Sequence, residues 1–263
     1  MLTWLRGTLS TCSFELVRSL TAQRLVLFGF LAAFPALIIV LIGISAGREG
    51  MQIPFMETLI ILLVGLIGVL ALLLTASTGV YSELEGKSWV YIACRPYGRV
   101  ATVIGKYLAA LVLSYGISLL AATLAVMAAQ WRGTLPRPEY FWFVTAGLLF
   151  LACAVYAAMF TLIGTLFYRR AMVFCAAYMI VVEFMLANIP ALIRGLTIRC
   201  HLQELAISGY GWIMPLQEEP YRLLYGEYPI WMNFTALALF ISVTLGASAF
   251  FVMNREYVTG DET

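Results

Sequence analysis

Six apolar stretches dominate this chain, and each is long enough to cross a lipid bilayer. They cover residues 25–47, 58–82, 107–131, 140–168, 171–193 and 228–254, and only the fifth contains a charged residue, Glu183. About 20 mostly apolar residues span a hydrocarbon core of ~30 Å, so every stretch suffices with some tilt. The sequence therefore predicts an all-α polytopic membrane protein with six transmembrane helices.

The composition agrees with this class and excludes others. Hydrophobic residues make up 62% of the chain and charged residues 11%, and the net charge of +2 does not indicate nucleic acid as a partner. A compact soluble domain needs at least about 50 residues, more than any segment between the spans provides. Residues 1–263 are therefore predicted to form a single transmembrane domain without an enzyme activity of its own. Its energy source would be an ion gradient or a separate polypeptide.

The segment before the first span has the pattern of an amphipathic helix. Apolar residues recur at steps of three or four, while charged residues lie off that stripe. The stripe consists of Leu2, Leu5, Leu9, Cys12, Leu16 and Leu20. A cleavable signal peptide would have a short basic region and a shorter apolar core. Residues 1–24 are therefore predicted to form a helix that lies on the membrane surface.

The distribution of Lys and Arg predicts the orientation. With six spans both termini share a side, and that side carries ten of the 16 basic residues, against six on the other. Because basic residues accumulate in cytoplasmic loops, both termini and the loop 82–106 are predicted to be cytoplasmic. The expected location is the plasma (inner) membrane, with the loop 194–227 outside. That outer loop is expected to form short helices on or in the outer leaflet.

The loop 82–106 holds the densest group of charged residues near the spans. Its Gly86-Lys87-Ser88 sequence is not a phosphate-binding loop, because that motif needs glycine where the chain has Tyr81. Trp89, Ile92 and Ala93 have the spacing of one helix face, and Pro96 would end the helix. Two interpretations remain open from the residues alone: a basic loop that only sets the topology, or a short helix that docks a partner.

A resemblance to a known family favours docking. Glu83, Ser88, Pro96, Arg99 and the Gly105-Lys106 pair occur in an order that resembles the first cytoplasmic loop of ABC-2 type transporter permeases. The usual motif has Gly-Thr where this chain has Lys87-Ser88. The amphipathic lead, the six spans and the long outer loop between the fifth and sixth spans are also similar to that family.

The resemblance implies a permease subunit that works with a separate ATPase. In that family this loop is a coupling helix, and two ATPase subunits, which bind ATP and Mg, join two permeases, identical or paralogous, to form an exporter. The outer loop caps the exit side of the pathway. The residues implied in coupling are Glu83, Glu85, Lys87, Ser88, Trp89, Arg95, Pro96, Arg99 and Lys106.

Glu183 is the one ionisable residue inside a predicted span, near mid-depth. A charge at the centre of a membrane helix costs roughly 2.5–3.5 kcal/mol or more, so this carboxyl should have a partner or face water. One hypothesis places Glu183 in the translocation pathway or a gate, together with Asn188 and Pro190. The other makes it a structural acid that binds a neighbouring helix or open helix ends.

Small residues predict where the spans pack. Ala110, Ser114, Ser118 and Ala122 recur every fourth residue, a spacing that lets helices approach closely. Gly65 and Gly68 suggest the same in the second span. No metal site is predicted, because His201 is the only histidine and zinc needs three or four ligands.

Two other classes of function compete with the permease interpretation. A secondary transporter driven by an ion gradient would favour repeated halves and several intramembrane polar groups. An intramembrane enzyme would need a nucleophile with a base, or clustered metal ligands. The sequence has no evident internal repeat and a single intramembrane acid, and His201 lies outside the predicted spans.

Overall fold

A computed structural model describes residues 2–45, 65–76, 83, 89–94, 98–131, 135, 137–185, 195, 197–210 and 229–255. Throughout these ranges the regular structure is helical, and no strand occurs in them. The helices are α1 (Leu2–Ser19), α2 (Ala22–Ser45), α3 (Gly65–Thr75), α4 (Trp89–Ala93), α5 (Gly98–Trp131), α6 (Pro138–Leu166), α7 (Ala171–Tyr178), α8 (Ile198–Tyr210) and α9 (Ile230–Asn254). A 3₁₀ turn (Tyr168–Arg170) joins α6 to α7, and a π-helical segment (Met179–Met185) follows α7.

Four helices of the described part are long and apolar enough to cross a membrane: α2, α5, α6 and α9. They match the first, third, fourth and sixth predicted spans; the all-helical class is confirmed for the described residues, and the long apolar helices are compatible with a membrane protein. The second stretch is described only as α3, and the fifth as α7 with its π-helical continuation. The remainder of those two stretches lies outside the described residues. Helix α5 begins at Gly98, well before the predicted span, so it carries Arg99 and Lys106 on its first turns.

Helices α5 and α6 form the centre of the bundle. Helices α1, α2 and α3 pack on α5, while α7, α8 and α9 pack mainly on α6. The predicted small-residue face of α5 is confirmed, because Ala110, Ser114, Ser118 and Ala122 are all buried. Of the two glycines predicted to pack, Gly68 is buried against Ser118, whereas Gly65 is exposed.

Helix α1 buries its small polar side and exposes much of the predicted leucine stripe. Thr8 and Ser19 are buried, whereas Leu5, Leu9 and Leu20 are exposed. The side that faces the protein is therefore not the leucine stripe but the adjacent polar face. An exposed apolar stripe beside the bundle is the arrangement that a helix at a lipid surface requires.

Helix α8 runs antiparallel to the first half of α6. Its last residue, Tyr210, stacks on Phe141, with ring centroids 5.0 Å apart, whereas its first residues lie at the level of Tyr156, near the midpoint of α6. Thirteen residues of α-helix measure about 20 Å. The helix therefore reaches from one end of the bundle, called here the α8 end, to its middle. The opposite end, which carries α1, α4 and the last turn of α9, is called the α1 end.

Candidate functional site

Two polar sites stand out in the described bundle, one at the α1 end and one at its middle. The first, called here the Lys106 cluster, joins α1 and α5 to Glu83, which precedes α4 in the sequence. The Lys106 ammonium lies 2.7 Å from Oε1 of Glu15 and 2.7 Å from Oε1 of Glu83. The Arg18 guanidinium lies 3.9 Å from each carboxylate, and its side chain is 47% exposed against 10% for Lys106. The buried ammonium is therefore the main cation of the cluster.

Gly105 explains why α1 can lie so close to Lys106. A Cβ atom at this position would lie 2.7 Å from the Cβ of Thr11 and 2.8 Å from the carbonyl oxygen of Thr8. Such distances are shorter than van der Waals contact, so only glycine allows α1 to cross α5 here. Gly105 thus allows α1 and α5 to cross closely, and the adjacent Lys106 holds the crossing through its ion pair with Glu15.

Gly105→Ala is expected to destabilise the protein by about 1–3 kcal/mol, because the added methyl group overpacks the crossing of α1 and α5. The matched control is Gly116→Ala on the same helix, where a Cβ would meet nothing within 4 Å. Thermal unfolding of the purified chain in detergent should give a lower Tm for the first variant only. Equal Tm values for the two variants would contradict the close crossing.

Helix α4 has one buried side and one exposed side. Trp89 is 5% exposed and packs with Val103 of α5 and Val252 of α9. On the other side Tyr91 is 77% exposed, and Cys94, which follows the helix, is also exposed. Trp89 therefore attaches α4 to the bundle, and Tyr91 and Cys94 face outward.

A small cavity lies between Trp89 and the Lys106 cluster. Its volume is about 20 Å³, which is room for a single water molecule. The lining residues are Thr75, Ala76, Glu83, Trp89, Thr102, Val103, Lys106, Thr161 and Gly164. The ion pairs and the buried side of α4 thus line the same small cavity.

The second polar site surrounds Glu183, which is 2% exposed in the π-helical segment. Its Oε1 accepts hydrogen bonds from the Tyr178 hydroxyl at 2.8 Å and the Ile198 amide at 3.3 Å. Its Oε2 accepts from the Tyr156 hydroxyl at 3.2 Å and the Arg199 amide at 2.9 Å. All four partners are donors, the set that suits an acceptor-only carboxylate.

The two amides belong to the first residues of α8. Backbone N–H groups in the first turn of a helix have no partner within it, and the helix dipole favours a negative charge there. Glu183 satisfies two of these groups. Thr197 satisfies a third as the N-cap residue, because its hydroxyl accepts from the Cys200 amide at 3.3 Å. The start of α8 is thus stabilised at the middle of the bundle, where water is scarce.

Three further contacts, two near its start and one at its end, hold α8. His201, 5% exposed, lies with Nδ1 2.7 Å from Oδ1 of Asn233 on α9 and Nε2 3.0 Å from the carbonyl oxygen of Gly195. At the other end of the helix, the Tyr140 hydroxyl donates to the carbonyl oxygen of Gly209 at 2.7 Å. The helix is therefore bonded throughout its first turn and again at its end.

The structure separates the predicted site residues into three groups. Glu83, Trp89 and Lys106 come together at the α1 end, and Arg99 lies nearby on the first turn of α5. Glu183 lies apart from them, at the start of α8. The predicted residues that lie outside the described part are Glu85, Lys87, Ser88, Arg95, Pro96, Asn188 and Pro190.

The sequence interpretation missed several partners of these residues. Glu15 was treated only as a charge off the leucine stripe, although it binds Lys106. No role was predicted for Tyr156 and Tyr178 in their apolar spans, yet both donate hydrogen bonds to the Glu183 carboxylate. Each tyrosine hydroxyl in an apolar span could have been recognised from the sequence, because a hydroxyl buried there needs a hydrogen-bond partner, as a carboxyl does.

No family model matches the sequence, and no curated protein matches it. The two sites are therefore interpreted from their residues and contacts.

Proposed function

We propose that this chain is the membrane-spanning subunit of an ABC-2 type ATP-binding cassette transporter, which forms a pathway for export and is driven by a separate ATPase. The observation that best supports the proposal is the construction of α4. This short helix is attached through Trp89 to α5 and α9 and presents Tyr91 and Cys94 outward. A rigidly held projection at one end of a membrane bundle is suited to receive a partner and pass its motion to the spans.

The geometry divides the implied coupling residues by role. The Lys106 ammonium pairs with the carboxylates of both Glu83 and Glu15, so in this proposal it holds Glu83 and α1 to α5. Trp89, which is buried, holds α4 in the same way. The surface that contacts the ATPase would then be the exposed side of α4, marked by Tyr91.

The complete assembly in this proposal has two permeases, identical or paralogous, and two ATPase subunits that bind ATP and Mg. Each permease would have six spans, with α3 part of the second and α7 with its π-helical continuation part of the fifth. The α1 end, with both termini, would face the cytoplasm, and α8 would face the outside from within the outer half of the membrane. Basic residues exposed at the α1 end, such as Arg6 and Arg169, support this orientation.

The main alternative is a secondary transporter that uses Glu183 as its ion or proton site. Such a site needs a carboxylate that can exchange partners with the transported ion. The two carboxylate oxygens of Glu183 accept four hydrogen bonds, two of them from the first turn of α8. The contacts thus favour the structural hypothesis for this acid, and we propose that its role in transport is to hold α8.

The proposal is tested by purification of the tagged chain after co-expression with the ATP-binding cassette ATPases of the same organism. We expect the ATPase to co-purify and to hydrolyse ATP in the complex. Tyr91→Ala should weaken this association about tenfold or more, because truncation of an aromatic residue at an interface commonly costs over 1 kcal/mol. Trp231→Ala is the control, since Trp231 is 67% exposed at the start of α9, far from α4.

Equal ATPase recovery with wild type, Tyr91→Ala and Trp231→Ala would contradict a docking role for α4. Recovery of no ATPase by the wild-type chain would contradict the proposed function itself.

A further inference from the structure

The last turn of α9 packs against three other helical elements at the α1 end. Val252 is fully buried and packs against Trp89 of α4 and Val103 of α5, with Tyr168 of the 3₁₀ turn beside them. The exit of α9 from the bundle is therefore in direct contact with the element proposed to receive the ATPase.

Two arginines add cross-links between helix ends in the same place. Nη1 of Arg255 donates to the carbonyl oxygen of Leu166, the last residue of α6, at 2.6 Å. Nη1 of Arg99, on the first turn of α5, donates to the carbonyl oxygen of Met253 on the last turn of α9 at 3.2 Å. The last carbonyl groups of a helix have no partner within it, and cations are favoured beside them. Each arginine thus caps a helix other than its own.

The aromatic ring of Tyr168 completes the connection. The Arg255 guanidinium carbon lies 5.7 Å from the centre of this ring, within the range of a cation–π contact. The contacts all meet at the end of α9: α4 reaches it through Trp89, α6 through Arg255 and α5 through Arg99. This group is called here the helix-end cluster.

We propose that the helix-end cluster makes the ends of α5, α6 and α9 follow α4, with Arg255 and Arg99 as the positioning residues. The proposal rests on the proposed function, since α4 is the element that the ATPase would move. It assigns the route of that motion: from Trp89 of α4 to Val103 of α5 and Val252 of α9, and from α9 to the end of α6 through Arg255. The long helices also pack on one another along their length, so the arginine links fix the ends of helices that are already in contact.

A neighbouring arginine provides the matched control. Arg170 is exposed on the same 3₁₀ turn as Tyr168. Arg170→Gln removes the same charge from the same end of the bundle as Arg255→Gln, so a general charge effect would appear in both variants. Arg255→Lys is the conservative variant: it keeps a cation that can reach the Leu166 carbonyl and should partly restore the wild-type behaviour.

The first experiment needs no partner. Cys94 is exposed and follows α4, so a nitroxide attached to it reports the motion of α4 in a Cys12→Ser chain in nanodiscs; the other cysteines are buried. Arg255→Gln is expected to increase the mobile fraction of the spectrum at least twofold, Arg99→Gln to increase it less, and Arg170→Gln to leave it unchanged. Equal spectra for Arg255→Gln and Arg170→Gln would overturn the mechanical link.

The second experiment follows motion through α9 in the complex with the ATPase. A nitroxide on Trp231→Cys, at the far end of α9, is compared before and after trapping with ATP, Mg and vanadate, with Cys12 and Cys94 replaced by serine. The wild-type background should show a nucleotide-dependent change. Arg255→Gln should lose most of that change while its ATP hydrolysis stays within about twofold, and Arg255→Lys should regain part of it.

The outcomes separate the two proposals. A full nucleotide-dependent change in Arg255→Gln would overturn the route through α9 and leave the ATPase-driven function standing. Failure of the wild-type chain to bind any ATPase would overturn both the proposed function and the route.

Discussion

Glu183→Ala is expected to destabilise the protein by about 3–5 kcal/mol, more than any other single substitution considered for the spans. The change removes the acceptor of four hydrogen bonds, from the hydroxyls of Tyr156 and Tyr178 and from two amides at the start of α8. Each buried donor left without a partner costs about 1–3 kcal/mol, and some will find other acceptors. The start of α8 should then separate from α6.

The measurement combines unfolding with a native reporter on α8. Cys200 is 3% exposed, so it should resist maleimide in the wild-type chain and react in Glu183→Ala. Thermal unfolding in nanodiscs should show a large fall in Tm for this variant. The Tm of Glu183→Gln should lie between those of the wild type and Glu183→Ala. Its amide keeps one acceptor oxygen but turns an NH₂ group toward two of the donors.

Two controls separate this site from a general effect of lost charge. Tyr178→Phe removes one donor and should cost about 1 kcal/mol. Glu139→Gln alters an exposed acid in the first turn of α6 and should change stability by less than about 1 kcal/mol. A Glu183→Ala chain that unfolds like Glu139→Gln, with Cys200 still protected, would show that α8 does not depend on this carboxylate.

Lys106→Met is expected to cost about 3 kcal/mol, because it leaves the carboxylates of Glu15 and Glu83 together without their main cation. Both oxygens lie 2.7 Å from Nζ, and all three side chains are less than 20% exposed. Removal of one partner from a buried ion pair costs about 3–5 kcal/mol, because an uncompensated charge remains. The repulsion should release α1 from α5.

The prediction is checked by Tm and by the reactivity of Cys12, which is half-buried on α1. Burial raises the pKa of the Cys12 thiol and so lowers its thiolate fraction, and Lys106→Met should make it more reactive.

The triple variant with Glu15→Gln and Glu83→Gln should regain stability, since no charge is then left unpaired. Arg18→Gln is the control and should cost less than about 1 kcal/mol, because Arg18 is half-exposed and 3.9 Å from both acids. Equal losses in Lys106→Met and the triple variant would contradict the electrostatic explanation.

The long helices could be predicted because length and the absence of charge are local properties. The runs that became α2, α5, α6 and α9 each exceed the thickness of a bilayer core without a strong interruption. The packing face of α5 could also be predicted, because alanine or serine at every fourth residue allows another helix to approach closely. This holds whichever helix lies opposite. Neither prediction required knowledge of a partner helix.

The polar sites could be predicted only in part, because their partners come from distant positions. The sequence shows that Glu183 needs a partner inside the membrane. It does not show that the donors are Tyr156 and the start of α8 at Ile198, brought together by the return of α8 along α6. In the same way Gly105 and Lys106 were noticed as a pair, but their contacts with Thr11 and Glu15 depend on the path of α1.

Protection of Cys94 tests directly whether α4 faces the cytoplasm and docks a separate ATPase, as we propose. A membrane-impermeant maleimide should label Cys94 in inside-out vesicles and not in intact cells, because this cysteine is exposed beside Tyr91 at the α1 end. Co-expression of the ATPase should suppress that labelling. Labelling of Cys94 from outside intact cells would contradict the cytoplasmic orientation of α4. Labelling that the ATPase leaves unchanged would contradict its docking role.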